Sequence, residues 1–101
     1  MSIHLSCYTN LSFAELQGKL EHFEEKYPDI FPVHYVLSTA GVPHPIQKEV
    51  ANEFGLDPNS YFLVSVNDKS LEISTDMMAT MIKKELGKSN VIVLYNGEEL
   101  L

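Results

Sequence analysis

Cys7 is the side chain of this sequence whose place suggests a nucleophile. It lies near the end of a short alternating run, Ile3 to Tyr8, just ahead of a helical pattern, where a helix N-terminus can lower a thiol pKa. Its neighbours favour a plainer role. Ile3, Leu5 and Cys7 share one strand face, and free cysteine is among the most buried residue types, so a core thiol is expected. The histidines, His4, His22, His34 and His44, never stand beside one another at metal-ligand spacing, and neither a metal nor a cofactor is expected. Glu24-Glu25 and Glu98-Glu99 are adjacent in sequence, so their carboxylates diverge on a helix or strand and read as solvated faces. Met77, Met78 and Met81 could line an adaptable groove, but at helical spacing they read as core. The sequence has no phosphate-cradling glycine loop and no nucleophile elbow. The residue types point away from an enzyme.

Composition narrows the remaining classes. A chain of 101 residues with 45% apolar content has room for a single domain, residues 1–101, with a small but sufficient core. Its seven basic residues are all lysine and face 14 acids, a net charge of -7, which supplies no footprint for nucleic acid. A lone cysteine forms no disulfide within the chain, and the first residues lack the basic and long apolar regions of a signal peptide. A cytoplasmic protein is expected.

These residues need elements to hold them. Ile3 to Tyr8 alternates apolar and polar, as a half-buried strand does. Ser12 and Glu15 stand at capping-box spacing, and Phe13, Leu16, Leu20, Phe23 and Tyr27 repeat at three and four, which predicts a helix that Pro28 ends. Pro32 then leads into a strand with Val33, Tyr35 and Leu37 on one side. The two proline rings fix φ, so Lys26 to Pro32 is expected to form a rigid corner. GVPHP, Gly41 to Pro45, breaks the chain, and a second helix runs from about Pro45 to Gly55 with Ile46, Val50 and Phe54 expected inward. Tyr61 to Val66 reads as a strand, Asn67 to Ser70 as a tight connection, and Leu71 to Ile73 as a brief strand. A third helix opens at Ser74 or Thr75 and stops at Gly87. Val91 to Tyr95 is a continuous apolar run, as a central strand buried on both faces would be, and Asn96-Gly97 turns it outward. Helices covering one side of a mixed sheet is the economical arrangement.

Several of these stretches together resemble the autophagy ubiquitin-like modifiers, the family of the GABA-receptor-associated protein and the microtubule-associated light chain. They are Lys26-Tyr27-Pro28-Asp29 before Pro32-Val33, then Phe54, Leu56, Pro58 and FLVSVND, then Thr75, Met78, Ile82 and Glu85, and finally VIVLYNGE. The resemblance spans roughly Ser12 to Leu101. It implies an α+β fold of the ubiquitin-like β-grasp type, a mixed sheet with helices packed on it and an additional N-terminal strand. That added strand is expected beside the Pro32 strand. There it would fill the place left by a hairpin strand for which the chain is too short between Val36 and Ile46.

The function implied by the resemblance is that of a non-enzymatic modifier or adaptor. It would bind proteins carrying short aromatic-x-x-aliphatic motifs by strand addition at the edge Val33, His34 and Tyr35. Phe23 and Pro32 match the aromatic pocket and Ile46 and Val50 the aliphatic one, although Phe23, Ile46 and Val50 serve equally as inward residues of their helices. Ubiquitin-like activating and conjugating enzymes, a lipid attachment and the autophagosomal membrane come with the resemblance as partners and place. Conjugation would use a glycine that the pattern puts after Leu101, where this sequence ends. Asn90 and Glu49 depart from the family's pocket residues, which weakens peptide capture. Two alternatives stay open: an unconjugated ubiquitin-like interaction module, and a thioredoxin-like domain with Cys7 near its active turn.

Overall fold

A computed structural model describes residues 3–31, 33–67, 73–97 and 99–101. Its sheet is organised around the first strand, β1 (His4–Thr9), in which every residue from Leu5 to Thr9 is buried. One edge of β1 pairs with β3 (Ser60–Val66), Cys7 lying opposite Phe62, and the other with β4 (Val91–Tyr95), Cys7 lying opposite Val93. Beyond β3 comes the short β2 (Tyr35–Leu37), and beyond β4 the two-residue β5 (Glu99–Leu100), so the order is β2-β3-β1-β4-β5.

Every pairing among the described residues is antiparallel. Over the described residues the chain is therefore a small α+β fold with a five-stranded antiparallel sheet and three helices, not the mixed sheet expected from sequence. The first strand also lies elsewhere than expected. It occupies the centre of the sheet, and β3 separates it from β2.

Alternation along the strands sorts the two faces. Leu5, Cys7, Phe62, Val64, Val91 and Val93 point to one face, where they pack with Leu16, Leu20 and Phe23 of α1 (Phe13–Lys26) and Met78, Ala79, Ile82 and Leu86 of α3 (Thr75–Leu86). On the opposite face Tyr8 and Leu94 pack with Ala51 of α2 (Pro45–Glu53) and with Leu56. The helices thus cover both faces, where one covered face was expected. This explains the unbroken apolar run of β4, which has helices on both sides although it lies one strand in from the edge.

Caps set the helix limits. Ser12 Oγ accepts the Glu15 N–H at 3.2 Å and closes the first turn of α1. Ser12→Ala is expected to lower the unfolding free energy by about 1 kcal/mol, read as a lower urea midpoint at unchanged slope. Ser74 repeats this arrangement for α3 on Met77 N–H. At its far end Gly87, at φ 99°, closes the helix, while Asn90 Nδ2 donates to Leu86 O at 3.1 Å. That bond gives Asn90 a structural task.

The corner after α1 is knitted by main-chain bonds. Ile30 and Phe31 N–H both donate to Tyr27 O, and His34 and Tyr35 N–H to Ile30 O. Phe31 is buried against Phe23, with ring centroids 5.0 Å apart, and Tyr27 meets Phe23 edge-on at 5.4 Å. Pro32 lies outside the described residues, as do Asp68 to Ser70 and Leu71 and Glu72 of the expected connection and strand.

Candidate functional site

The reactive groups come apart in space. Cys7 has no exposed surface, and burial pushes its thiol well above its ordinary value of 9.0. A raised thiol pKa is the reverse of what a nucleophile needs, so the active-turn alternative fails on this residue. Native chain is expected to leave Cys7 unalkylated by iodoacetamide at mildly alkaline pH, while urea-unfolded chain reacts; fast native labelling would contradict its burial. The unfolded chain releases the Cys7 proton near pH 9.0 while the folded chain keeps it, so this group's contribution falls as pH rises beyond that value. Tyr8 and Tyr35 act in the same sense, their hydroxyl pKa values raised first of all by burial.

No group of three His, Cys, Asp or Glu among the described residues is placed to hold a metal ion. His22 and Lys26 instead face Glu85 across the α1 and α3 helices, at 3.8 and 3.3 Å. Glu85 is half-buried while His22 and Lys26 are largely exposed, and pairs so open to solvent on one side carry small energetic weight. A cavity of about 380 Å³ opens at the end of α3 between Thr80, Lys83, Lys84 and Lys88. Its lysines complement the C-terminal end of the helix dipole, and Lys83 Nζ already donates to Leu101 O.

The residues singled out for peptide binding fall into two sets. Phe23 and Tyr35 are core: Phe23 meets the rings of Tyr27 and Phe31 edge-on, and Tyr35 is fully buried with its hydroxyl donating to Ile73 O at 3.0 Å. Val33 is exposed and His34 half-buried, both just before β2. Ile46 is 74% exposed. Expected to point inward, it lies off the stripe that meets the sheet. That stripe is Gln47, Val50, Ala51 and Phe54, spaced at three and four, with Ile46 one position outside it.

These placements draw attention to one side of the molecule. The edge strand β2 shows Val36 to solvent, and its continuation meets β3 where Ser38 Oγ accepts the Leu63 N–H at 2.8 Å. Leu63 is exposed on the same sheet face, opposite Ser6. From there Gly41 bridges to Tyr61, with its backbone so close to the ring that a Cβ would stand 2.8 Å from Tyr61 Cε1. Val42, 66% exposed, follows, and Ile46 lies in the first turn of α2. Val36, Leu63, Val42 and Ile46 therefore place apolar surface along the path from the edge strand into α2. Such surface marks binding more often than chemistry.

Among the described residues the chain is a small antiparallel α+β fold with apolar groups exposed along one border. The family described as CDI System Immunity Component matches residues 1–99, and the chain belongs to that family. It is similar to the immunity protein CdiI-2 of Burkholderia pseudomallei (strain 1026b), 24% identical over 98 residues that span 97% of each protein. It also superposes on a chain of the CdiA-CT/CdiI toxin and immunity complex from Burkholderia pseudomallei, with a TM-score of 0.83 and 26% identity over 97% of this chain and 95% of that one.

The family match overturns the resemblance to autophagy modifiers. Motif-bearing autophagy partners, conjugating enzymes, lipid attachment and an autophagosomal place fall with it, and neither the unconjugated ubiquitin-like module nor the thioredoxin-like domain gains support. The stretches that carried the resemblance have local causes. Lys26 to Asp29 is a helix stop, Phe62 to Val66 belongs to a strand, and Asn96-Gly97 is a turn. Such pieces recur in unrelated α+β folds. No helix of the described residues is long and apolar enough to cross a membrane.

Proposed function

We propose that this chain is an immunity protein of a contact-dependent growth inhibition system, which neutralises its cognate toxin domain by binding it and not by catalysis. The observation that carries this reading is the superposition, over nearly the whole of both chains, on a member of a toxin and immunity complex. Two features of the chain support it. The border formed by Val36, Val42, Ile46 and Leu63 offers apolar surface to a partner, with Val33 and His34 at its rim. The net charge of -7 favours encounter with a basic toxin surface.

Growth rescue tests the proposal. Cells producing the toxin domain of the same system should grow when this chain is co-produced, and the two purified proteins should elute as one complex. Raising the salt concentration should slow their association more than their dissociation. Absence of a complex would refute the reading. Rescue accompanied by a lasting chemical change in the recovered toxin would refute the non-catalytic part.

A further inference from the structure

We propose that Asn96 is a modification site, at which the turn after β4 converts by itself to aspartate and isoaspartate through a succinimide. Asn96 is the one asparagine of the chain followed by glycine. Gly97 presents its main-chain nitrogen with no side chain to shield it, and both residues are half-buried, within reach of solvent. The turn leaves that nitrogen loosely held, since the Gly97 N–H donates to Leu94 O at 3.4 Å, at the long limit of such a bond. By contrast the electrophile is engaged. Asn96 Oδ1 accepts the His4 N–H at 3.0 Å, while Asn96 N–H donates to His4 O at 2.8 Å.

The His4 N–H is thus aimed at the oxygen on which negative charge develops when the side-chain amide is attacked. A fixed backbone donor in that position is the device by which oxyanions are stabilised. The Gly97 nitrogen gives its proton to hydroxide and bonds to Asn96 Cγ. The tetrahedral centre then expels the side-chain nitrogen, which takes up a proton and leaves as ammonia. Water adds to either carbonyl of the resulting ring and opens it, leaving a carboxylate on the normal or the isoaspartyl backbone. No other reactant is required.

The product has a structural consequence. An isoaspartyl link adds a methylene to the backbone between β4 and β5, and a two-residue strand has few bonds with which to absorb it. Pairing of Leu94 with Leu100 is expected to fail, together with the Leu101 N–H bond to Val93 O.

The test compares folded chain with urea-unfolded chain, both held in warm, mildly alkaline buffer and sampled over days. Peptide mapping reads the mass gained when an amide becomes a carboxylate, and an isoaspartyl methyltransferase labels the isoaspartate. Folded chain should gain the label at position 96 at a rate within about tenfold of the unfolded chain, and Asn10, Asn52, Asn59, Asn67 and Asn90 should lag behind. The Asn96→Gln variant should lose the label while keeping its circular dichroism. A folded rate more than about tenfold below the unfolded one, equal to about 1.4 kcal/mol of added barrier, would show that the turn protects Asn96 and would overturn the proposal. Label that persists in Asn96→Gln would do the same.

Discussion

Phe62→Ala is expected to lower the unfolding free energy by about 3–5 kcal/mol, a large share of what a domain of this size possesses. Phe62 is fully buried in β3, opposite Cys7 of the central strand, on the face that receives α1 and α3. Truncation removes the ring's transfer free energy and leaves a void beneath two helices, and the paired strands on each side of β3 hinder collapse into it. Urea unfolding followed by far-UV circular dichroism reads the effect as a fall in midpoint. The matched control is Phe13→Ala, at a ring 49% exposed in the first turn of α1, where a change within about 0.5 kcal/mol is expected. Equal losses at the two positions would contradict the placement of the core.

The second large effect concerns the toxin. In the proposed interface, the double variant Val42→Asp and Ile46→Asp is expected to weaken binding of the cognate toxin domain by about a hundredfold or more, the scale on which a few central apolar residues govern an interface. Both side chains are among the most exposed hydrophobic groups described, at 66% and 74%, so stability should change little. Ile46 lies in the first turn of α2, where a carboxylate suits the helix dipole. The substitutions also make the chain more acidic, which would speed encounter with a basic partner; a loss of affinity therefore reports the loss of apolar contact. Phe13→Asp, outside that border, should leave affinity unchanged. Titration calorimetry reads all three proteins, and a double variant that binds like the parent while remaining folded would remove this border from the interface.

Element order is legible in the sequence wherever a local signal is strong. Ser12 with Glu15, Pro45, Ser74 and Gly87 mark helix ends because caps and stops are decided by a few adjacent residues. The alternation of Ile3 to Tyr8 and the run Val91 to Tyr95 mark strands for a similar reason. Long-range relations carry no such signal. The apolar stripe of α2 says that it packs on something, not on which face of the sheet, and Ile46, expected inward, is exposed while Ala51 is buried. Likewise nothing local to β1 reveals that both its neighbours run antiparallel to it. β5 is too short to register as a pattern at all.

The candidate site was less legible than the fold. Val33 and Ile46 reach solvent, but Val36, Val42 and Leu63 fit the alternation and loop patterns of an ordinary buried strand and connection, and their exposure is decided by the long-range placement of the elements. Family membership was hidden for a further reason. It resides in agreement spread thinly across residues 1–99, at the level of 24% identity to a known member, and not in a short motif.

The place of β1 has a temporal consequence. β1 is synthesised ahead of both its partners and must wait for them, since Ser60 to Val66 and Val91 to Tyr95 leave the ribosome later. Before those partners exist the segment has nowhere to settle, and its closure depends on contacts between positions far apart in sequence, the slowest kind to form.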